Sequence, residues 1–190
     1  MNLANKLTML RVIIVPFFVF FMSVDDIPYN YLWALVLFAA ASITDLLDGK
    51  IARKYNMITN FGKFLDPLAD KILVAGALVC FTEIGCTPAW VTALILAREF
   101  VVSGVRLAAA GSDSKVVIPA NIWGKLKTAS TMAAIVVILG VLVLTENAGL
   151  FEEFPVQAFG EILMYIAAAL TVVSGATYLW DYRSYIDPSK

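Results

Sequence analysis

The chain has 190 residues, 61% of them hydrophobic, a formal net charge of −1 and no histidine. That apolar fraction lies far above the roughly 45–50% of soluble globular domains. The missing imidazole excludes Ser-His and Cys-His nucleophiles, histidine metal ligands and histidine-based phosphatidyl transfer, and the near-neutral charge gives no reason to expect nucleic acid.

Hydropathy predicts an all-α integral membrane protein with six transmembrane helices, near residues 7–24, 31–52, 64–81, 89–110, 122–144 and 156–180. A span takes ~20 residues, so six leave short connections and no room for a sizeable soluble domain. A single membrane domain over residues 1–190 is expected. The first apolar run, "VIIVPFFVFFMSV", follows Lys6 and Arg11 as a secretory signal would. No small-x-small cleavage site comes after it, only "DDIPYN" and another apolar run, so it reads as a retained span. Turn chemistry separates later spans at "EIGCTP", "GSDSKVVIPAN" and "TENAGLFEEFP". Cys80 and Cys86 have no metal-ligand spacing, and Cys80 reads as small apolar filler.

Charge asymmetry orients these spans. The three turns after the first, third and fifth spans hold Asp25, Asp26, Glu83, Glu146, Glu152 and Glu153 and no Lys or Arg. Basic residues gather on the other side, which places both termini in the cytoplasm of a multi-pass cell-membrane protein. The stretch "TDLLDGKIARKYNMITNFGKFLDPLADK" then falls at the cytoplasmic ends of the second and third spans.

That stretch carries Asp45, Asp48, Asp66 and Asp70. On a helix, Asp45, Asp48, Gly49 and Ala52 fall at i, i+3, i+4 and i+7 and share one stripe; Gly62, Asp66 and Asp70 recur every four residues and share another. An antiparallel pairing of the two helices lets the stripes meet, with the glycines and Ala52 leaving room for a bulky ligand. A mid-membrane carboxylate costs roughly 2.5–3.5 kcal/mol, so four of them point to a function. An all-oxygen, carboxylate-rich site suits Mg²⁺ or Mn²⁺, and two ions balance about four negative charges. The structural alternatives are Asp66 as a helix N-cap ahead of Pro67, and Asp45 paired with Arg53 or Lys71.

The pattern D45-x-x-D48-G49-x-x-A52-R53, eight residues, then G62-x-x-x-D66-x-x-x-D70 resembles the complete signature of the CDP-alcohol phosphatidyltransferase family. The segments "NKLTMLR", "FGKFLDPLADK", "AREF", "GVRL" and "GKLKT" are similar to its phosphatidylglycerophosphate-forming branch. The resemblance implies metal-dependent transfer of a phosphatidyl group from CDP-diacylglycerol to sn-glycerol 3-phosphate, releasing CMP, by a homodimer with its active site on the cytoplasmic side of the inner membrane. It gives Asp45, Asp48 and Asp66 to a first metal and Asp45, Asp66 and Asp70 to a second, with Asp70 the general base. Gly49, Ala52 and Gly62 would admit cytidine and ribose, Arg53 and Thr59 would contact the diphosphate, and Asn5 and Thr8 either touch the same ligand or cap the first helix. An acceptor bearing a phosphate needs a basic pocket, for which Arg98, Arg106, Lys125 and Lys127 are the candidates. Their structural alternatives are pairing of Arg98 with Glu99 or an aspartate of the cluster, and snorkelling of the lysines to lipid headgroups. Within the family, acceptors such as serine, inositol phosphate or phosphatidylglycerol are the competing readings. Outside it, a divalent-cation transporter would spread its acids through the bilayer, and a membrane prenyltransferase would repeat the Asp motif on separate helices.

Overall fold

The computed structural model describes residues 3–55, 60–111, 122–150 and 153–181, with side chains described for 8–44, 69, 71–105, 122–150 and 153–181. Among them are six α-helices and no strand: α1 (Leu3–Ser23), α2 (Asn30–Tyr55), α3 (Asn60–Glu83), α4 (Ala89–Gly111), α5 (Ile122–Leu142) and α6 (Val156–Asp181). A π-helical turn, Val143–Asn147, continues α5. Each expected span finds its helix. The helices overrun the apolar windows into polar sequence, because hydropathy marks what a bilayer solvates, whereas hydrogen bonding carries the helix on until the backbone turns. α1 therefore includes Asn5 and Thr8, neither of which caps it. α3 starts four residues before the expected span, which puts Asp66 and Pro67 inside the helix and removes the N-cap alternative for Asp66.

Two segments, Ile122–Asn147 and Val156–Asp181, are each 26 residues long and apolar enough to cross a bilayer. The described apolar stretches of α1 and α2, Thr8–Ser23 and Asn30–Thr44, are shorter. Large apolar side chains stand outward on every helix, among them Phe17, Trp33, Val79, Phe100, Val136 and Ile166. Hydroxyls inside the apolar helices are satisfied locally: Ser42 donates to the Phe38 carbonyl, Thr82 to Leu78, Thr131 to Lys127 and Thr171 to Ala167. Each bonds back one turn, which lets a polar residue sit in an apolar helix without an orphaned donor.

The chain divides into two compact units. The first comprises residues 1–84 and 135–156. In it α1 packs against α2 and α3, and α2 contacts α3 and the π-helical turn. The core holds Val15, Phe18, Met22, Ala34, Phe38, Leu73 and Ala77, with Phe18 and Phe38 at a ring separation of 5.9 Å. Gly76 on α3 faces α1, where a Cβ would stand 3.4 Å from both Val15 and Val19, in close van der Waals contact. The π-helical turn bonds i to i+5, with Ala148 N–H donating to the Val143 carbonyl, and aims Asn147 at α2. Asn147 Oδ1 accepts from Leu32 N–H at 3.1 Å, and its Nδ2 donates to Asn30 Oδ1 at 3.1 Å. One side chain thereby satisfies an orphan amide of the α2 N-terminus and ties two turns distant in sequence.

The second unit comprises residues 85–134 and 157–190. Its entry turn contains Gly85 at φ +78°, a left-handed conformation that favours glycine, followed by buried Cys86 and Thr87. Gly160 on α6 lies against this turn: a Cβ there would stand 2.9 Å from both Cβ and the carbonyl oxygen of Cys86. Trp90 and Tyr165 stack at 5.8 Å. Both cysteines of the chain are free and buried. Burial pushes the Cys86 thiol up to about 11, and Glu161 adds to the shift.

Candidate active site

The aspartates fall on continuous helix. Asp45, Asp48, Gly49, Ala52 and Arg53 all lie within α2, and Gly62, Asp66 and Asp70 within α3, so the spacing that places each set on one stripe is kept by the backbone. The two helices touch one another in the first unit. Side chains of these residues, and of Asn5 and Arg106, lie outside the described residues, as does Thr59 altogether. Thr8 is buried on α1, one turn before the buried Arg11. Among the described residues no three His, Cys, Asp or Glu side chains gather into a metal cluster. The donor set that fits a divalent ion is the aspartates': hard carboxylate oxygens at i, i+3 and i, i+4 helical spacing, which suits Mg²⁺ or Mn²⁺.

The second unit holds a polar node where three helices meet. Arg98 and Glu99 come from α4, Lys127 from α5 and Ser174 from α6. Glu99 Oε1 accepts from Lys127 Nζ and, at 3.4 Å, from Arg98 Nη1. Arg98 Nη2 donates to Ser174 Oγ on α6. The side chains of Lys127 and Arg98 are 2% and 12% exposed, so both charges lie largely out of solvent. Two glycines border Arg98. A Cβ at Gly175 would meet its Cγ at 3.4 Å, and one at Gly124 its Nη2 at 3.7 Å.

The candidate basic residues therefore divide. Arg98 and Lys127 are brought together in the node, while Lys125 is exposed. The lysines are two positions apart, about 200° around a helix, and point to opposite sides. Arg106 lies two turns beyond Arg98 on α4. Ser174 was not foreseen. Its sequence signal, a serine-glycine pair inside apolar α6, is too common in membrane helices to single out.

Among the described residues the chain combines two helices long and apolar enough to cross a membrane, a helix pair that carries the aspartates, and a largely buried node of Arg98, Glu99 and Lys127, the make-up of a helical membrane protein. The family model described as CDP-alcohol phosphatidyltransferase matches residues 1–173. Similar curated proteins include the CDP-diacylglycerol–glycerol-3-phosphate 3-phosphatidyltransferases of Bacillus subtilis and Rickettsia typhi. The first is 39% identical over 194 residues, covering 96% of this chain and 94% of that protein. The second is 39% identical over 185 residues, covering 97% and 98%. A probable phosphatidylglycerophosphate synthase of Mycobacterium tuberculosis is 40% identical over 182 residues, covering 94% and 80%. The chain belongs to the CDP-alcohol phosphatidyltransferase family.

Proposed function

We propose that this chain transfers the phosphatidyl group of CDP-diacylglycerol to the primary hydroxyl of sn-glycerol 3-phosphate, yielding phosphatidylglycerophosphate and CMP. The observation that carries the reading is the complete aspartate-glycine signature, held at helical register on α2 and α3, in a chain that matches relatives of that printed activity over nearly its full length. The reading includes six membrane spans in one domain, both termini in the cytoplasm, an active site on the cytoplasmic side of the cell membrane and a homodimer. Acidic turns without Lys or Arg support the orientation.

Asp45, Asp48, Asp66 and Asp70 are the ligands for two divalent ions, Mg²⁺ or Mn²⁺. Such ions, when bound, neutralise charge on the diphosphate and polarise its phosphorus toward attack. Gly49, Ala52 and Gly62 give the cytidine and ribose close approach to the backbone, and Arg53 and Thr59 hold the diphosphate by charge and hydroxyl. Asn5 and Thr8 on α1 complete the nucleotide contacts. The acceptor hydroxyl oxygen attacks the phosphatidyl phosphorus, the anhydride bond to CMP breaks, and Asp70 takes the hydroxyl proton. Histidine is absent from the chain, so the task falls to a carboxylate, Lys, Tyr or water, and Asp70 is the carboxylate of the signature chosen for it. Arg98, Arg106 and Lys127 receive the acceptor phosphate. Lys125, exposed on the opposite side of α5 from Lys127, belongs to the same basic set.

The test is CMP release by the purified protein with Mg²⁺ or Mn²⁺ and CDP-diacylglycerol. Release is expected only with sn-glycerol 3-phosphate. Equal release with serine, inositol phosphate or phosphatidylglycerol would sink the acceptor assignment, and undiminished release by Asp70→Asn would sink the base assignment.

A further inference from the structure

We propose that Glu99 is a positioning residue for the acceptor: with Ser174 it fixes Lys127 and Arg98 in one node at which the phosphate of glycerol 3-phosphate binds. The inference rests on the acceptor reading above and adds two residues that neither the signature nor the basic set contains.

An ammonium taken out of water needs a counter-charge close by, and Lys127 is 2% exposed. Glu99 supplies that charge across the gap between α4 and α5. Its same oxygen accepts from Arg98, so one carboxylate sets the spacing between an ammonium and a guanidinium. These are the two complementary phosphate-binding groups, a compact point charge and a planar fork. Arg98 alone could adopt many rotamers, each costing entropy to select. Ser174 restricts it from the third helix, and Gly124 and Gly175 line its path. Glu99 keeps 22% of its side chain exposed and Arg98 12%, so the node borders accessible space on the Glu99 and Arg98 side. Here one carboxylate organises two cations, from α4 and α5.

The full chain in lipid-detergent micelles tests this by CMP release, varying each substrate with the other saturating. Glu99→Gln is expected to raise KM for glycerol 3-phosphate about tenfold, the scale of one lost charge-assisted hydrogen bond, with KM for CDP-diacylglycerol unchanged. Glu99→Asp should recover part of the loss. Because Glu99 acts in part through Lys127, the effects of Glu99→Gln and Lys127→Met on that KM should be less than additive in the combined variant. Ser174→Ala, a milder change that spares the carboxylate, should raise the same KM about threefold. Equal rises in both KM values, a loss confined to kcat, or additive effects in the double variant would overturn the positioning role. If the wild type releases CMP regardless of glycerol 3-phosphate, the acceptor reading fails first and takes this inference with it.

Discussion

Gly160→Ala is the sharpest packing perturbation available in the second unit. The added Cβ would stand 2.9 Å from Cys86 Cβ, 2.9 Å from the Cys86 carbonyl oxygen and 3.3 Å from its Cα. Carbon contacts are comfortable at about 3.5–4.0 Å, so the 2.9 Å approach to Cys86 Cβ is short by about half an ångström or more, and the Cα approach by less. Two of the three atoms are backbone, in a turn whose Gly85 is already committed to φ +78°. Relief must then come from moving α6 away from the turn rather than from rotating a side chain. Overpacking of this kind costs about 1–3 kcal/mol. Alanine's better helix propensity returns about 0.5–1 kcal/mol, which leaves a net loss. Controls come from the same chain: a Cβ at Gly104 or Gly140 meets nothing within 4 Å, so alanine there should be neutral or stabilising. Thermal unfolding of the detergent-purified variants, followed by loss of the monodisperse peak, gives the comparison. A Gly160→Ala protein that melts with the Gly104→Ala and Gly140→Ala proteins would refute the reasoning.

The clamp at the π-helical turn predicts that Asn147→Ala destabilises the first unit by about 1–2 kcal/mol, having lost two hydrogen bonds of 3.1 Å near the surface. Asn147→Asp, which keeps the acceptor for Leu32 and loses the donor to Asn30, should melt between the two. Cys86 should resist iodoacetamide at pH 8, because the thiol is buried and its pKa is raised from 9.0 to about 11. A raised folded value favours the protonated thiol, so this contribution to stability is fully present below pH 9.0 and is lost as pH climbs through about 11. Labelling by mass spectrometry should accordingly appear only in strong alkali or after unfolding, and prompt labelling at pH 8 would contradict the burial. Under the proposed function, a chelator should abolish CMP release, and Mg²⁺ or Mn²⁺ should restore it. Retention of activity in excess chelator would speak against the aspartates as metal ligands.

The aspartate pattern was fully legible because helical register is a property of sequence spacing alone. Asp45 and Asp48, or Asp66 and Asp70, share a stripe on any helix that runs through them, and α2 and α3 do. Hydropathy likewise marked all six helices, since transfer into lipid is additive along the chain. It missed where α1 and α3 begin, because their first turns are polar and no hydropathy window registers a helix continuing into polar sequence. It also missed the π-helical turn after Leu142, whose cause is hydrogen-bond register rather than polarity.

The basic residues show the opposite case. "GKLKT" offers Lys125 and Lys127 as equals, and composition cannot rank them. Packing of α4, α5 and α6 buries one beside Glu99 and leaves the other exposed. Glu99 itself reads in sequence as a neighbour that could neutralise Arg98; only the fold shows it bridging to Lys127, 28 positions along the chain. Ser174 and the close approach of Gly160 to Cys86 are of the same kind. Each depends on which residues of distant helices are brought within a few ångströms. Pairwise contacts between helices are set by how their surfaces fit, a property of three-dimensional packing that no single segment encodes. Sequence by itself therefore determined the helices, the carboxylate stripes and the family, and tertiary structure decided which cations are held and by what.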